Sequence, residues 1–503
     1  MNPLSAPNTD MDVDVLIVGA GISGLGAAYY VQRDLPGKTY AIVEARDDVG
    51  GTWDLHRYPG IRSDSDLFTF GYEFNPWKGD TIATADVIRA YLREMAVENH
   101  IDQRIRFQTK VIAAAWDSDE ARWTVEVEDT RSGQRSRIRC SWVFAATGYY
   151  RYDQGYTPEF PGREAFEQAG GQVVHPQLWP EGLDYVGKKV VVIGSGATAV
   201  TLVPAMAGVA GHVTMLQRSP TYVIPLPTKD VIADVVRKAL PERRAHAILR
   251  WKNMYLNRAV WRLSQRFPDV ARSIIRYVNA RRLPPGYPVD EHFNPRYNPW
   301  DQRLCVVPDG DLFAAISNGT ASVVTDTIET FTSTGILLTS GKHLEADLVV
   351  TATGLNLQAF GGVELTVDGQ PIEYNETVAF KGMMLTGVPN FALSIGYTNS
   401  SWTLKVGLLC EHFARLVSHM DAHGYDTCAP AAPPNVETRP LLDFEAGYVL
   451  RALDRLPKQG PGFPWLTSRD YLADVKLLRH GPVADPNLRF ATKARRPAQV
   501  PSA

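Results

Sequence analysis

Two residues of opposite charge, Glu44 and Arg218, stand at matching distances from two copies of one glycine pattern. Gly19-Ala20-Gly21-Ile22-Ser23-Gly24 is G-x-G-x-x-G, and Gly194-Ser195-Gly196-Ala197-Thr198-Ala199 is G-x-G-x-x-A. In each, the first glycine permits a tight turn and the second lets backbone approach a pyrophosphate. The third position lets a helix lie close to a strand, and the N–H groups that open the helix point at the phosphates. Glu44 lies 25 residues after Gly19 and Arg218 lies 24 after Gly194, so both mark the corner that reads the ribose. A carboxylate there accepts hydrogen bonds from ribose hydroxyls and repels a 2'-phosphate, whereas a guanidinium holds that phosphate as a fork. The first unit therefore predicts FAD and the second NADP(H).

Strands must carry these turns. Asp14 to Val18 and Lys188 to Ile193 are short apolar runs that end in glycine, the pattern of parallel strands buried on both faces. Tyr40 to Glu44 and Val213 to Leu216 supply the second strand of each unit, and alanine-rich stretches supply the helices. Two further strands, Trp142 to Ala146 and Asp347 to Thr351, each run into Ala-Thr-Gly. The predicted fold is α/β, with two Rossmann-like dinucleotide-binding domains and a helical insertion. An FAD domain is expected over residues 1–150 and 355–503, an NADP domain over 151–222 and 291–354, and the insertion over 223–290.

The bulk properties exclude several classes. The 503 residues, 45% hydrophobic and 21% charged, describe a globular chain too long for one core. A net charge of −3 gives no general attraction to nucleic acid. Cys140, Cys305, Cys410 and Cys428 are widely spaced, so neither a disulfide framework nor a metal site is legible and a cytoplasmic location is expected. No signal peptide or transmembrane run is apparent. Between Asp230 and Arg282 the spacing becomes helical and arginine-rich. One reading is a solvated basic face whose apolar side (Leu249, Met254, Leu256, Val260, Leu263) packs on the body. The other is peripheral contact with an anionic membrane by a basic amphipathic helix.

Two longer strings narrow the class. Gly50-Gly51-Thr52-Trp53, Tyr58-Pro59-Gly60 and Asp64 resemble, position for position, the flavin string of Baeyer-Villiger (class B) flavoprotein monooxygenases. Gly171, His175, Trp179 and Pro180 resemble the second string of that family, with Phe166 three residues further upstream than the string allows. In detail the chain is most similar to the actinobacterial ethionamide-activating subgroup, through Thr52 to Leu55, Tyr58 to Asp66, His175 to Gln177 and Asn298 to Leu304. The resemblance implies that Ser23, Gly51, Thr52, Trp53, Asp54, Leu55, Asp64 and the backbone of Val111 line FAD. It places Arg62, Ser63 and Asp64 on the nicotinamide side, and Thr198, Gln217 and Arg218 on the nucleotide.

The chemistry so implied is reduction of FAD by NADPH and addition of O2 to give a C4a-peroxyflavin, which converts ketones to esters or lactones and oxidises thioethers or thioamides. Arg303 would be the cation that stabilises developing negative charge, with Asp64 as its partner. His175 would couple the movement of the two domains, and Gly396 to Trp402 would form a pocket wall. An N- or S-oxygenating flavin-containing monooxygenase without ketone activity is the alternative. A non-catalytic flavin or NADPH sensor would keep the glycines and have no use for Arg303.

Overall fold

The computed structural model describes residues 10–302, 304–433, 436–442 and 446–493. Strand β1 (Met11–Val18), helix α1 (Ile22–Asp34) and strand β2 (Tyr40–Val43) form the first β-turn-α-β unit. Short helices α2 (Thr52–Leu55) and α3 (Leu67–Phe70) and the longer α4 (Ala85–Glu98) follow. Strands β3 (Ile105–Arg106), β4 (Thr109–Asp117), β5 (Arg122–Asp129) and β6 (Arg135–Ala145) complete this stretch. Helix α5 (Arg163–Gln168) and β7 (Gln172–Val174) lead to the second unit, which is β8 (Lys189–Ile193), α6 (Ala197–Met206) and β9 (His212–Gln217).

After β10 (Val223–Leu226) come the helices α7 (Val231–Ala239), α8 (Glu242–Arg266), α9 (Pro268–Ala280) and α10 (Val289–His292). The chain returns through β11 (Cys305–Pro308), α11 (Asp311–Ser317) and β12 (Ala321–Thr325). A three-stranded meander, β13 (Ile328–Thr332), β14 (Gly335–Leu338) and β15 (His343–Glu345), precedes β16 (Leu348–Thr351). Strands β17 (Glu364–Val367) and β18 (Gln370–Pro371), a strand at Phe391–Leu393 and helix α12 (Trp402–His423) lie beyond it.

Two sheets organise these elements. The larger runs β18-β17-β4-β5-β6-β1-β2-β3, with Phe391–Leu393 parallel to the end of β6. The smaller is fully parallel in the order β12-β9-β8-β16-β7. In both, the strand that enters a glycine turn lies beside the strand that ends in Ala-Thr-Gly: β1 pairs with β6 and β8 with β16. Burial on both faces explains the unbroken apolar runs: helices cover one face of each sheet, and the other is covered by β4 and β5 in the larger sheet and by the β13–β15 meander in the smaller. Strands from before residue 150 and after residue 355 share the larger sheet, so the chain leaves it and comes back.

The insertion differs from expectation in two ways. Residues 223–226 are not helical but form β10, which pairs parallel with β11. Leu249 and Met254 are buried, yet Leu256, Val260 and Leu263 are 56%, 47% and 59% exposed and do not pack on the body. The helices form a single layer, and α8 spends its inner face on the protein. Arg250 donates there to the carbonyls of Phe68, Thr69 and Gly71, which leaves the opposite apolar stripe uncovered. No helix among the described residues is long and apolar enough to cross a membrane.

A candidate site for two dinucleotides

At the first turn Gly19 adopts φ +106°, and a Cβ there would lie 2.8 Å from the Ala146 carbonyl oxygen. A Cβ on Gly24 would lie 1.8 Å from the Gly19 oxygen, so helix and turn touch as only glycine allows. Gly21 caps α1 without any side-chain hydrogen bond. Gly51, at φ +57°, faces it closely enough that a Cβ on Gly51 would stand 3.1 Å from the Gly21 Cα. This uncapped helix start beside bare backbone fits a pyrophosphate. Glu44 is buried, and its Oε2 and Oε1 accept the backbone N–H groups of Ala20 (2.7 Å) and Arg46 (2.9 Å). Burial pushes its carboxyl above the usual range, and the two N–H groups oppose that.

The other residues expected around FAD gather here with partners of their own. The Ser23 hydroxyl accepts the Trp402 indole N–H at 2.8 Å, and Trp402 stacks on Tyr149 at 5.4 Å. The Gly396–Trp402 segment thus closes on the first turn. Thr52 is a hydrogen-bonding neighbour of the Tyr152 hydroxyl, Trp53 stands edge-on to Phe70, and Leu55 is buried. Val111 lies where the β4–β5 ladder slips by a residue, with its side chain in the sheet core. Asp54 behaves otherwise. Its carboxylate has no exposed surface and is committed to the guanidinium groups of Arg46 (2.6 Å), Arg89 (3.1 Å) and Arg57. The groups turned outward at that point are Arg46 and Arg57.

The second turn repeats the backbone. Gly194 has φ +134°, and a Cβ would lie 2.3 Å from the Ala352 oxygen. Gly196 caps α6 without a side-chain bond, and a Cβ there would meet nothing within 4 Å. Ala197 and Thr198 line the same opening, whereas Ala199 is fully buried. Ser195 binds Thr221 Oγ1 at 2.8 Å, which ties the turn to the following loop. Gln217 and Arg218 part company. The buried Gln217 amide donates to the His292 carbonyl (2.8 Å) and Thr325 Oγ1 (2.9 Å), so it supports the strand end and not a ligand. Arg218 is exposed and makes no ion pair among the described residues. It is the group available to a 2'-phosphate.

The flavin string joins the two units. Tyr58 is buried among Val190, Ala199 and Val203 of the second unit, and its hydroxyl is a hydrogen-bonding neighbour of Thr198. Gly60, at φ +77°, presses on α6, where a Cβ would lie 3.1 Å from the Thr201 oxygen and 2.6 Å from the Ala205 Cβ. Arg62 pairs with Asp311 at the start of α11 (2.5 Å). Ser63 is buried and donates to the Ser65 carbonyl at 2.9 Å. Asp64 is half-buried near Tyr58, whose phenol is pushed up mainly by burial, with the Asp64 charge adding to it. Asp66 caps α3 through the Thr69 N–H and receives the amides of Asn253 and Asn257. Arg303 lies outside the described residues.

His175 ties the crossover between the sheets. Its Nδ1 accepts the Gln177 N–H (3.1 Å), so its Nε2 carries the proton and donates to the Gly354 carbonyl at 3.1 Å. Gln177 in turn donates to the carbonyls of Arg151 and Tyr152. Phe166 is fully buried with its ring against Gly171. Sequence reasoning missed Tyr152, Asp311 and the Arg46–Arg57–Arg89 cluster. It quoted Tyr58 without a role, although a large aromatic before Pro-Gly in a polar loop was the available signal.

A model of the pyridine nucleotide-disulphide oxidoreductase family matches residues 13–249, but all four cysteines are buried and none is in a disulfide. FAD-containing monooxygenase EthA of Mycobacterium tuberculosis is 52% identical over 491 residues, covering 97% of this chain and 99% of that one. Oxidized steroid monooxygenase bound to NADP has a TM-score of 0.74 at 23% identity, over 96% of this chain and 100% of the other. Cyclohexanone-bound cyclohexanone monooxygenase has a TM-score of 0.71 at 20% identity, over 96% and 100%. These two structures share the fold. On the extent and level of its identity with EthA, the chain belongs to the FAD-containing monooxygenases of the EthA type.

Proposed function

We propose that this enzyme consumes NADPH and O2 to convert ketones to esters or lactones and to oxidise thioether or thioamide sulfur. For a ketone the balance is ketone, O2, NADPH and a proton giving ester, water and NADP+. The observation that carries the reading is the flavin string itself, seated on the second unit through Tyr58, Gly60 and Arg62. That seating makes one segment answer to both turns.

FAD, when bound, accepts hydride from NADPH and activates O2 for transfer to the substrate. The protein's part is to hold and orient. The start of α1 with Gly21 and Gly51 would hold the FAD pyrophosphate, and Glu44 its ribose. The start of α6 with Arg218 would hold NADPH. As oxygen adds to a ketone carbon, the carbonyl oxygen becomes anionic, and a fixed guanidinium stabilises it. Arg303 is proposed for that task from its place in the family string, with Asp64 as the carboxylate that pairs with it.

The test measures NADPH consumption and product mass over a panel of ketones, thioethers and thioamides, with cyclohexanone first. Ester or lactone together with S-oxide is expected. S-oxide or N-oxide with no ester overturns the ketone reading in favour of a flavin-containing monooxygenase confined to heteroatoms. Arg303→Ala should keep FAD and its reduction by NADPH, while product formation falls at least about a hundredfold. A variant that makes product near the parent rate removes Arg303 from the mechanism.

A further inference from the structure

Large apolar side chains are spread unevenly over this surface. Of the twenty-one that are exposed among the described residues, thirteen lie between Val231 and Tyr277, twelve on α7, α8 and α9 and one, Phe267, where α8 meets α9. They form stripes at helical spacing. Val270, Ile274 and Tyr277 line the outer side of α9, and α8 presents Trp251 stacked on Tyr255 at 5.4 Å, with Leu263 further along. Folded proteins rarely leave contiguous apolar surface of this extent in water unless something covers it.

Charge says what covers it. The same stretch, Val231 to Arg282, holds thirteen Lys and Arg against three Asp and Glu, in a chain whose net charge is −3. Arg243, Arg244 and Arg266 are exposed and make no ion pair among the described residues. A second copy meeting this face across a twofold axis would set arginine against arginine. A nucleic acid would leave the apolar stripes wet. We infer that the outer face of α7, α8 and α9 lies on the surface of an anionic lipid bilayer, with Trp251, Tyr255, Leu263 and Ile274 entering the headgroup region and the free arginines meeting lipid phosphates. Neither feature alone would hold the protein there: the stripes are too short to span, and the charges without them would let go at moderate salt.

The opposite side of α8 connects this surface to the proposed active site. Arg250 holds the carbonyls of Phe68, Thr69 and Gly71, and Asn253 and Asn257 hold Asp66, two residues beyond Asp64. A bilayer on the outer face would stand one helix away from the flavin string. This extension rests on the function proposed above: the substrates favoured would be lipophilic ketones and sulfur compounds dissolved in the membrane.

The holoenzyme is sedimented with vesicles of phosphatidylglycerol and phosphatidylcholine, and with phosphatidylcholine alone, at low and high salt. Binding to the anionic vesicles, weakened by salt and at least tenfold weaker without phosphatidylglycerol, is expected, with a blue shift of tryptophan emission. The Leu263→Glu, Ile274→Glu double variant should lose binding at least tenfold while keeping its FAD and its turnover of a water-soluble ketone. Arg243→Glu with Arg244→Glu should lose the salt-sensitive part. Failure of the parent to bind anionic vesicles overturns the inference, as does a Leu263→Glu, Ile274→Glu variant that binds like the parent. A dimer in light scattering that Leu263→Glu splits assigns the face to a second copy and also overturns it. Vesicle binding by a protein that oxidises no ketone would leave the docking intact and reject the functional reading.

Discussion

The Gly19 turn and the Gly194 turn have the same backbone but different surroundings. In both, a glycine at positive φ tucks under the carbonyl of the alanine that precedes Thr-Gly on the neighbouring strand, and an uncapped glycine opens a helix. At the first turn the chain closes around the opening. Gly24 brings α1 against the turn, Gly51 faces Gly21, and Glu44 is fixed by two backbone N–H groups before any ligand arrives. At the second turn Gly196 faces open space and Arg218 reaches into solvent. A prearranged site lowers the ordering cost of binding and suits a resident group, whereas an open one suits a cofactor that must leave after each turnover.

That contrast can be broken by mutation. The largest effect is expected for Gly24→Ala, whose methyl would collide with the Gly19 carbonyl. A cost of about 3 kcal/mol or more should appear as lost flavin absorbance in the purified protein and a lower melting temperature. Gly196→Ala should leave the melting temperature within about 2 °C and weaken only NADPH. Equal damage from the two would end the distinction. Next in size, Arg218→Ala should raise the KM for NADPH by about 1.5–3 kcal/mol of lost charged hydrogen bonding, while NADH is unaffected. Parallel changes with both cofactors would show that Arg218 does not read the 2'-phosphate.

Glu44→Gln should cost about 1–2 kcal/mol, because an amide oxygen can accept only one of the two N–H groups that Glu44 holds. Titration of the apoprotein with FAD should find the loss, and the KM for NADPH should not move. The smallest effect at neutral pH belongs to His56, beside the first turn. Burial, with the charges of His175 and Arg46, holds its imidazole down at about 4. Between about 6.5 and 4 the unfolded chain takes up a proton that the native one refuses. The stability from neutral His56 is therefore complete above about pH 6.5 and is lost as pH falls toward 4. Melting curves of the parent and His56→Asn should differ in slope over that range; parallel slopes would exclude this source.

What the sequence made legible is what backbone geometry demands. Gly19 and Gly194 announce positive φ, and a run such as Val190 to Ile193 announces a strand covered on both sides, because few other residues serve there. Side-chain partnerships carried no such signature. Gln217 reads as a nucleotide ligand until His292 and Thr325 are brought beside it, and the arginines that claim Asp54 come from positions 46, 57 and 89. Phe166 looked displaced from its string, yet it reaches Gly171 because the end of α5 absorbs the extra residues. Periodicity located the apolar side of α8 but could not say that half of it would go uncovered.

The crossover between the sheets has a consequence for how the chain closes on itself. The outgoing segment at 149–156 and the returning one at 354–358 run side by side, joined by Arg151 N–H to the Asn356 oxygen, Gln358 N–H to the Tyr149 oxygen and Tyr156 N–H to the Gly354 oxygen. Everything between is a bead threaded into the larger sheet, and its two strings are knotted at the neck. Once the bead is folded, β17 and the strand at Phe391–Leu393 return to their partners as if across a tight turn, and the penalty for closing a long loose loop disappears. Two strings also forbid what one would allow: the bead cannot spin about its neck.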